Sequence, residues 1–220
     1  MHFRYECSNS TNCRHTLGGQ GLFIPAEGEG CAVGDGPSRQ WFWHPDHDLH
    51  AAQKTVGMFW DEYHQSVGLG SNMLMGLTAD RRGLVPENDV AKLTAFGRAV
   101  RECYGHPAAN ITASSLQPIT IQHPGGYVDL VVDPPITADR VWVREDISTG
   151  QRAQEFQVLV QTDRGGAFVG VANGTSIARK RIVVFPESVS VAVLRVVVSR
   201  SYEWPVPISE VALFAPCKRP

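Results

Sequence analysis

Two stretches of the chain carry hydrophobic residues at intervals of three and four, the spacing that places them on one side of an α-helix. The first stretch begins at Leu49 and ends at Val67, and Gly68 follows it as a suitable helix C-cap. The second follows Pro86 and the acidic residues at 87 and 89, which favour a helix N-terminus, and continues to Tyr104. The pattern predicts two amphipathic helices.

A short unbroken hydrophobic run, Met73–Leu77, lies between these two helices. A run without alternation is typical of a barrel strand that is buried on both faces, and the strand is expected to be parallel to its neighbours if the helices pack outside it. The first 40 residues show little periodicity, and only residues 22–24 are predicted to be extended.

After residue 113 the period changes, and hydrophobic residues lie two apart between turns rich in Gly, Pro and Asp. This alternation predicts an all-β module. The residues concerned are Val141, Val143, Phe156, Val158, Val160, Val183, Phe185, Val191, Val193, Val211 and Leu213.

The order of elements predicts a fold class of α/β followed by all-β. We expect the C-terminal part of a (β/α) barrel over residues 1–106, joined to a β-sandwich over residues 113–217. A complete barrel takes about 250 residues. The barrel segment is therefore expected to be incomplete.

Composition excludes several classes of function. The 220 residues, of which 43% are hydrophobic, can bury a sizeable core. A net charge of −2 with few paired basic residues argues against a nucleic-acid partner. No hydrophobic run approaches the roughly 20 residues that cross a bilayer, and the first residues lack the hydrophobic core of a signal peptide. We expect no membrane partner and no cofactor.

The five cysteines lack the close pairs that zinc sites favour, so no metal is expected, and their disulfide pairing is left open. Three N-glycosylation sequons begin at Asn9, Asn110 and Asn173. Such sequons are typical of proteins that pass through the secretory pathway.

Several blocks of sequence form recognisable motifs. The first joins Phe23–Glu27 to Trp41–His44, and it is similar to a W-x-P-A-E…GWFWH pattern, although Gly28-Glu29 stands where Cys-Asp is usual after the Glu and the intervening loop differs. The second, Ser66–Glu87, matches a helix end SVGRG, a strand NLLLN and a loop PPDRRGLI, with Leu69 where Arg is usual and Gly76 where Asn is usual.

A third block lies in the β module. Residues 139–152 match R-V-x-L-x-E-D-I-x-x-G-Q-R, and residues 173–182 match G-T-S-I-G-x-K-R-I. In order and spacing these blocks resemble the α-L-fucosidases of glycoside hydrolase family 29, whose C-terminal β-sandwich is galactose-binding-like.

The resemblance implies a retaining enzyme that releases L-fucose from fucosylated glycans, in an extracellular or lysosomal location. Retention requires two carboxyl groups about 5 Å apart, one as nucleophile and one as acid and then base. The family's nucleophilic Asp lies on an earlier barrel strand, and no segment of this chain resembles that strand. The chain is therefore expected to be a truncated part of such an enzyme and inactive alone.

Glu27 is the candidate acid/base, because some family members carry that residue in this segment and because it follows an extended hydrophobic piece. A surface-loop role is the alternative. Glu29 is expected to share its side if the strand continues.

Trp43, His44 and Trp41 are the candidate substrate-binding residues, since a planar ring suits the apolar face of a 6-deoxy sugar. Core packing is the alternative. In an extended segment Trp41 and Trp43 are expected on one face, with Phe42 and His44 on the other. At most one of these pairs then faces a pocket.

Two further clusters are interpreted as structural. His44, His47 and His50 with nearby aspartates could bind a metal, but a solvated helix start with Asp46 or Asp48 as N-cap is preferred. Arg81 and Arg82 are expected to tie their own loop or a nearby Asp.

Two other interpretations remain open. In the first, the chain is a non-catalytic carbohydrate-binding protein that uses the β-sandwich, and glycan binding without hydrolysis favours it. In the second, the sequence comes from a misassembled gene model, for which the unmatched residues 1–21 and the shortened stretch between Ala113 and Gly126 are the reasons.

Overall fold

The computed structural model describes residues 2–4, 15–17, 20–22, 27–33, 41–47, 53–114 and 119–220. The described chain is mostly antiparallel β-sheet with two α-helices. It divides into two compact units. Unit 1 comprises Met1–Val67, Ser71–Arg101 and Arg219–Pro220, and unit 2 comprises Gly68–Gly70 and Glu102–Lys218.

The described elements of unit 1 are β1 (His2–Arg4), β2 (His15–Leu17), β3 (Gln20–Leu22), β4 (Glu27–Cys31), α1 (Val56–Gln65), β5 (Asn72–Gly76) and most of α2 (Glu87–Tyr104). Those of unit 2 are β6 (Ala109–Thr112), β7 (Ile119–Ile121), β8 (Gly126–Glu145), β9 (Ala153–Gln161), β10 (Val169–Gly174), β11 (Arg181–Ser201) and β12 (Val206–Phe214). No helix among these elements is long and apolar enough to cross a membrane.

In unit 1, β4 lies between β1, which is antiparallel to it, and β5, which is parallel. The parallel setting predicted for the hydrophobic run at 73–77 is confirmed. Its predicted burial on both faces is wrong, because the side chain of Leu74 is 48% exposed. The opposite face of the sheet is covered by α1. Gly30, which pairs with Met75, lies on that face, and a Cβ added to it would lie 3.3 Å from Oε2 of Glu62 on the helix.

Helix α1 begins later than its hydrophobic pattern predicts. The backbone before it is held in extended form: Gln53 bridges Val33, and the Lys54 N–H donates to the Ala32 carbonyl at 3.1 Å. Thr55 is the N-cap, and its Oγ1 accepts from the Met58 N–H at 3.2 Å. The prediction of Asp46 or Asp48 as N-cap is therefore wrong.

Helix α2 confirms its prediction closely. It begins at Glu87, directly after Pro86, and carries Glu87 and Asp89 in its first turn. The ring of Phe96 lies 6.0 Å from those of Phe59 and Tyr63, centroid to centroid, so α1 and α2 pack through aromatic contacts.

The seven strands of unit 2 form one antiparallel sheet with the order β10-β9-β11-β8-β12-β6, and β7 also pairs with β12. The pairing of β8 with β11 is interrupted twice, where residues 132–135 of β8 and residues 185–188 of β11 have no ladder partners. Three of these eight residues are prolines, Pro134, Pro135 and Pro186, which cannot donate to a ladder. The two long strands therefore change direction at these points.

The halves on either side of these breaks share one hydrophobic core. Strand β9 extends the half that contains residues 193–201, and β12 extends the half that contains residues 140–145. All eleven residues predicted from the alternation are buried, with exposed fractions of 9% or less. The period-two pattern is confirmed as the signal of this core.

A disulfide joins Cys103, at the end of α2, to Cys217 near the end of unit 2. The two residues are 114 positions apart in sequence, and their Cα atoms are 5.6 Å apart. Tyr104, which follows Cys103 in sequence, stacks on Trp142 with the ring centroids 6.1 Å apart, and the ring of Phe214 is T-shaped to both.

A buried carboxyl group closes the turn between β8 and β9. Oε1 of Glu145 accepts from the backbone N–H groups of Arg152 and Ala153, the latter at 3.3 Å. Burial raises the pKa of Glu145 to about 7, against the lowering effect of backbone donors at Arg152, Ala153 and Ala178.

Because the folded-state pKa of Glu145 lies above its usual value of 4.5, the folded chain binds an extra proton between about pH 4.5 and pH 7. We expect unit 2 to lose about 3 kcal/mol of its free energy of unfolding as the pH rises through this window. Glu145→Gln keeps the acceptor and should remove most of this slope, measured by urea unfolding. Glu187→Gln, an exposed residue, is the control, and a slope that survives in Glu145→Gln would contradict the assignment.

Candidate functional site

Two adjoining surface depressions in unit 1, of about 290 and 280 Å³, share Trp43, Asp80 and Arg81. Segment 41–47 supplies Trp43 and comes after β4 in the chain, whereas the loop that begins at Leu77 directly follows β5. Because β4 and β5 are parallel, the loop after β5 lies at the edge where the carboxyl ends of both strands meet, and the depressions place Trp43 beside that loop. Barrel enzymes build their active sites at this edge.

Asp80 organises the wall of the larger depression. Its Oδ1 accepts from the backbone N–H of Arg82 at 2.8 Å, and its Oδ2 accepts from the guanidinium of Arg82 at 2.6 Å and 2.9 Å. A second carboxylate, Glu87, accepts from the same guanidinium at 2.9 Å. The expectation that Arg82 ties its own loop to a nearby Asp is confirmed.

These contacts fix the charge state of the wall. The hydrogen bond from Arg82 lowers the pKa of Asp80 and also that of Glu87, and the two carboxylates raise the pKa of Arg82. Both carboxylates therefore stay ionised at neutral and mildly acidic pH. Neither is suited to donate a proton to a leaving group.

Trp43 is half-buried and lies in both depressions, with the Arg81 guanidinium 5.7 Å from its ring centroid. His44 is its neighbour in the smaller depression and is otherwise exposed. The predicted alternation across residues 41–44 is wrong, because the segment bends and is not a strand. Trp41 and Phe42 are 65% and 84% exposed, so they do not pack in a core, and neither lines a depression.

His47 fastens this segment to α2. Its Nε2 lies 2.7 Å from Oδ2 of Asp89, and both side chains are almost fully buried. Lys92 extends the network, since its Nζ lies 2.9 Å from Oδ1 of Asp89 and also donates to Gln53. The interpretation of His47 as part of a solvated helix start is wrong, because the ring is only 2% exposed.

The described residues contain no group of three or more His, Cys, Asp or Glu side chains that could hold a metal ion. His50 and Asp48, from the cluster considered in the sequence, lie outside the described residues, as does Asn9 of the first sequon. Asn110 and Asn173 are described and exposed.

Glu27 and Glu29 lie on one face of β4, as expected if the strand continues through them. Glu27 is exposed, Glu29 is half-buried, and Leu74 lies beside Glu29 on the parallel neighbour β5. Glu27 begins the strand and pairs with Asn72. It therefore lies at the opposite end of β4 from the edge where Trp43 follows.

The polar wall built by Asp80 and Glu87 did not emerge from the sequence reasoning. The signal was present in the spacing, because two and five residues separate these carboxylates from Arg82 on a tight loop. A capped turn of this kind, Asp followed by backbone donors at i+2 and i+4, is a common use of Asp in loops.

Comparison with known proteins gives a consistent result, although no family model matches the chain. Alpha-L-fucosidase 1 of Arabidopsis thaliana is 24% identical over 216 residues, covering 87% of this chain and 41% of that protein. A candidate α-L-fucosidase of Bacteroides ovatus is 28% identical, with a TM-score of 0.73, and the match covers 89% of this chain and 32% of that one.

A family 29 glycoside hydrolase from an unknown rumen bacterium is 25% identical, with a TM-score of 0.70 and coverage of 92% and 35%. The chain thus spans about two fifths or less of the length of these relatives. The resemblance to the α-L-fucosidases of glycoside hydrolase family 29 is confirmed, and the partial coverage is consistent with a C-terminal part.

Replacing His47 by Ala should loosen segment 41–47, because it removes a buried hydrogen bond to a carboxylate and leaves Asp89 with Lys92 as its remaining charged partner. We expect the free energy of local opening to fall by roughly 2 kcal/mol. Hydrogen exchange of peptides that cover residues 41–47 and the start of α2 measures this. His44→Ala, an exposed neighbour, is the control, and equal protection in both variants would contradict the role given to His47.

Proposed function

We propose that this chain forms the C-terminal part of a retaining α-L-fucosidase, with a barrel segment over residues 1–106 and a galactose-binding-like β-sandwich over residues 113–217. One observation carries the proposal: the segments that follow two parallel strands meet at Trp43, at the edge where barrel enzymes hold their substrates. The order of the three motif blocks and the likeness to α-L-fucosidases support it.

In the complete enzyme, a carboxylate attacks the anomeric carbon of the fucoside and forms a glycosyl-enzyme bond while an acid protonates the leaving oxygen. The same acid, now a base, takes a proton from the water that releases L-fucose. Glu27 is proposed as this acid/base on the motif resemblance alone, because it begins β4 and lies at the opposite end of that strand from Trp43. Glu29 is the alternative, since it shares the face of Glu27 and lies two residues nearer the edge that holds Trp43.

The role of Trp43 is to contact the apolar side of the 6-deoxy sugar with its ring, and His44 adds a hydrogen-bonding group beside it. Asp80 and Glu87 do not serve as the acid, because Arg82 holds both of them ionised. Their proposed role is to shape the wall. Trp41 is a candidate for contacts with a longer glycan, because its side chain is exposed and it lies two residues before Trp43 in the sequence.

The nucleophile is proposed to come from a barrel strand that this sequence does not match, so the chain alone is expected to be inactive. An extracellular or lysosomal location is also proposed. It is supported by the disulfide between Cys103 and Cys217, since such bonds persist in oxidising compartments, and by the sequons.

The test is release of 4-nitrophenol from 4-nitrophenyl α-L-fucoside by the 220-residue chain, alone and joined to the upstream barrel of the Arabidopsis relative. We expect no turnover by the chain alone and turnover by the joined protein. In the joined protein, Glu27→Gln should lower kcat/KM by at least 100-fold if Glu27 is the acid/base.

Glu29→Gln tests the neighbouring carboxylate, and Glu102→Gln, on an exposed part of α2, is the control. Loss of activity in Glu29→Gln with full activity in Glu27→Gln would move the role to Glu29. Turnover by the 220-residue chain itself would overturn the proposed inactivity, and a folded joined protein without any turnover would overturn the proposed function.

A second candidate function, glycan binding without hydrolysis, is favoured by an exposed aromatic cluster on unit 2. The Arg195 guanidinium lies 3.6 Å from the ring centroid of Tyr127 and 4.0 Å from that of Phe168. Asp129 fixes the guanidinium through two hydrogen bonds of 2.7 Å. Tyr127 is 53% exposed, so a rigidly held ring is available to a sugar.

Isothermal titration with a fucosylated oligosaccharide tests this candidate on the full chain. Tyr127→Ala should weaken binding about 10-fold, as expected for the loss of one stacked ring. Tyr202→Ala removes a more exposed ring elsewhere on unit 2, with an exposed fraction of 70%, and should leave the affinity unchanged. Absence of binding by the unaltered chain, or an equal effect of both variants, would exclude Tyr127 as a glycan platform.

A further inference from the structure

Both described sequons lie on the strands that end the sheet of unit 2. In the order β10-β9-β11-β8-β12-β6, β10 carries Asn173 and β6 carries Asn110. Each Asn is exposed, and so are the hydroxyl residues Thr175 and Thr112 that complete the two sequons. The two acceptor sites are thus at opposite ends of one sheet.

The local geometry turns both acceptor side chains away from the core. On β6, Ala109 and Ile111 pack against the core, which leaves Asn110 and Thr112 on the outer side. Nδ2 of Asn110 donates to Oγ1 of Thr112 at 3.3 Å, so the amide and the hydroxyl of this sequon are adjacent. On β10, Val171 and Ala172 pack against the core while Asn173 is exposed.

These end strands have only part of the usual protection against further pairing. Among the described strands, β6 and β7 pair only with β12, and β10 pairs only with β9, so one edge of each end strand has open backbone groups. Natural edge strands are commonly blocked by charged residues or proline. Strand β6 is short, with four residues, and β10 has a register shift after Gly170, but neither Ala109–Thr112 nor Val169–Gly174 contains a charged residue or proline.

We propose that N-glycans at Asn110 and Asn173 block the two end strands and prevent edge-to-edge association of copies of this chain. In the modification, the carboxamide nitrogen forms a bond to the anomeric carbon of a lipid diphosphate-linked oligosaccharide. The bond from that carbon to the diphosphate oxygen breaks, the lipid diphosphate leaves, and the amide loses one proton. The bulky, hydrated glycan then occupies the space beside the open edge.

This inference rests on the proposed secretory location and does not depend on hydrolysis, so its readouts are glycan occupancy and molecular mass. The full chain, secreted from insect cells behind a cleavable leader, is analysed by peptide mass spectrometry and by light scattering. We expect occupancy at both sites and a monodisperse protein. Asn110→Gln with Asn173→Gln should at least double the weight-average mass at the same concentration.

Three comparisons separate the glycan from the Asn side chain and from folding. Thr112→Ala with Thr175→Ala keeps both Asn residues, removes both sequons and should associate in the same way. Asn88→Gln alters an exposed Asn outside any sequon and should stay monodisperse. Enzymatic removal of the glycans from the folded protein should also cause association, without any substitution.

Two results would overturn the proposal. The first is an unoccupied Asn110 or Asn173 in the secreted protein. The second is a deglycosylated protein that has the same mass in solution as the glycosylated one. Neither result bears on the fucosidase assay of the joined protein, so failure here is distinguishable from failure of the proposed function.

Discussion

The pairing of β8 with β11 is the constraint on which the larger unit depends. The ladder runs from Gly126 opposite Val198 to Val143 opposite Arg181, and it breaks at two places where prolines remove donors. Each break redirects a strand without ending it, so the same two strands contribute to both halves around a single core. Strand β9 pairs with β11 on one side of the breaks, and β12 pairs with β8 on the other.

The sequence predicts this core well and its continuity poorly. Alternation identifies which side chains point inward, because a strand buried on one face must repeat every two residues, and residues such as Val141 and Val158 follow that rule. Alternation does not reveal whether two runs belong to one strand. Residues 181–201 read as separate strands around Pro186, whereas the backbone keeps the pairing partner and only shifts its register.

Errors in unit 1 have a common physical cause, which is tertiary contact overriding a local pattern. Helical spacing begins at Leu49, but Gln53 and Lys54 are extended because they pair with the backbone of residues 33 and 32. Helix α1 therefore starts at Val56. His47 reads as a solvated residue among other polar groups, yet Asp89 supplies the buried partner that makes its burial acceptable. Partners 42 residues away cannot be read from local spacing.

The candidate site was predicted in part. The motif predicted the aromatic residues. The chemistry predicted the structural role of Arg82, because a planar guanidinium beside Asp in a tight loop readily donates two hydrogen bonds to the carboxylate. That one guanidinium pairs with two carboxylates could not be predicted, since it depends on Glu87 accepting from Arg82 as Asp80 does. Arg82 lowers the pKa of both carboxyl groups, so the wall carries two carboxylates around one guanidinium.

The link between Cys103 and Cys217 gives the β-sheet unit an unusual kind of independence. Because the disulfide holds residues 114 positions apart within 5.6 Å, measured between Cα atoms, the long segment of the unit, residues 102–218, has its two ends in one small area. A unit with adjacent termini can be inserted into a loop of an unrelated host without stretching either partner. Genetic recombination could therefore transfer this sheet between proteins as one segment whose two ends are already held together by a disulfide.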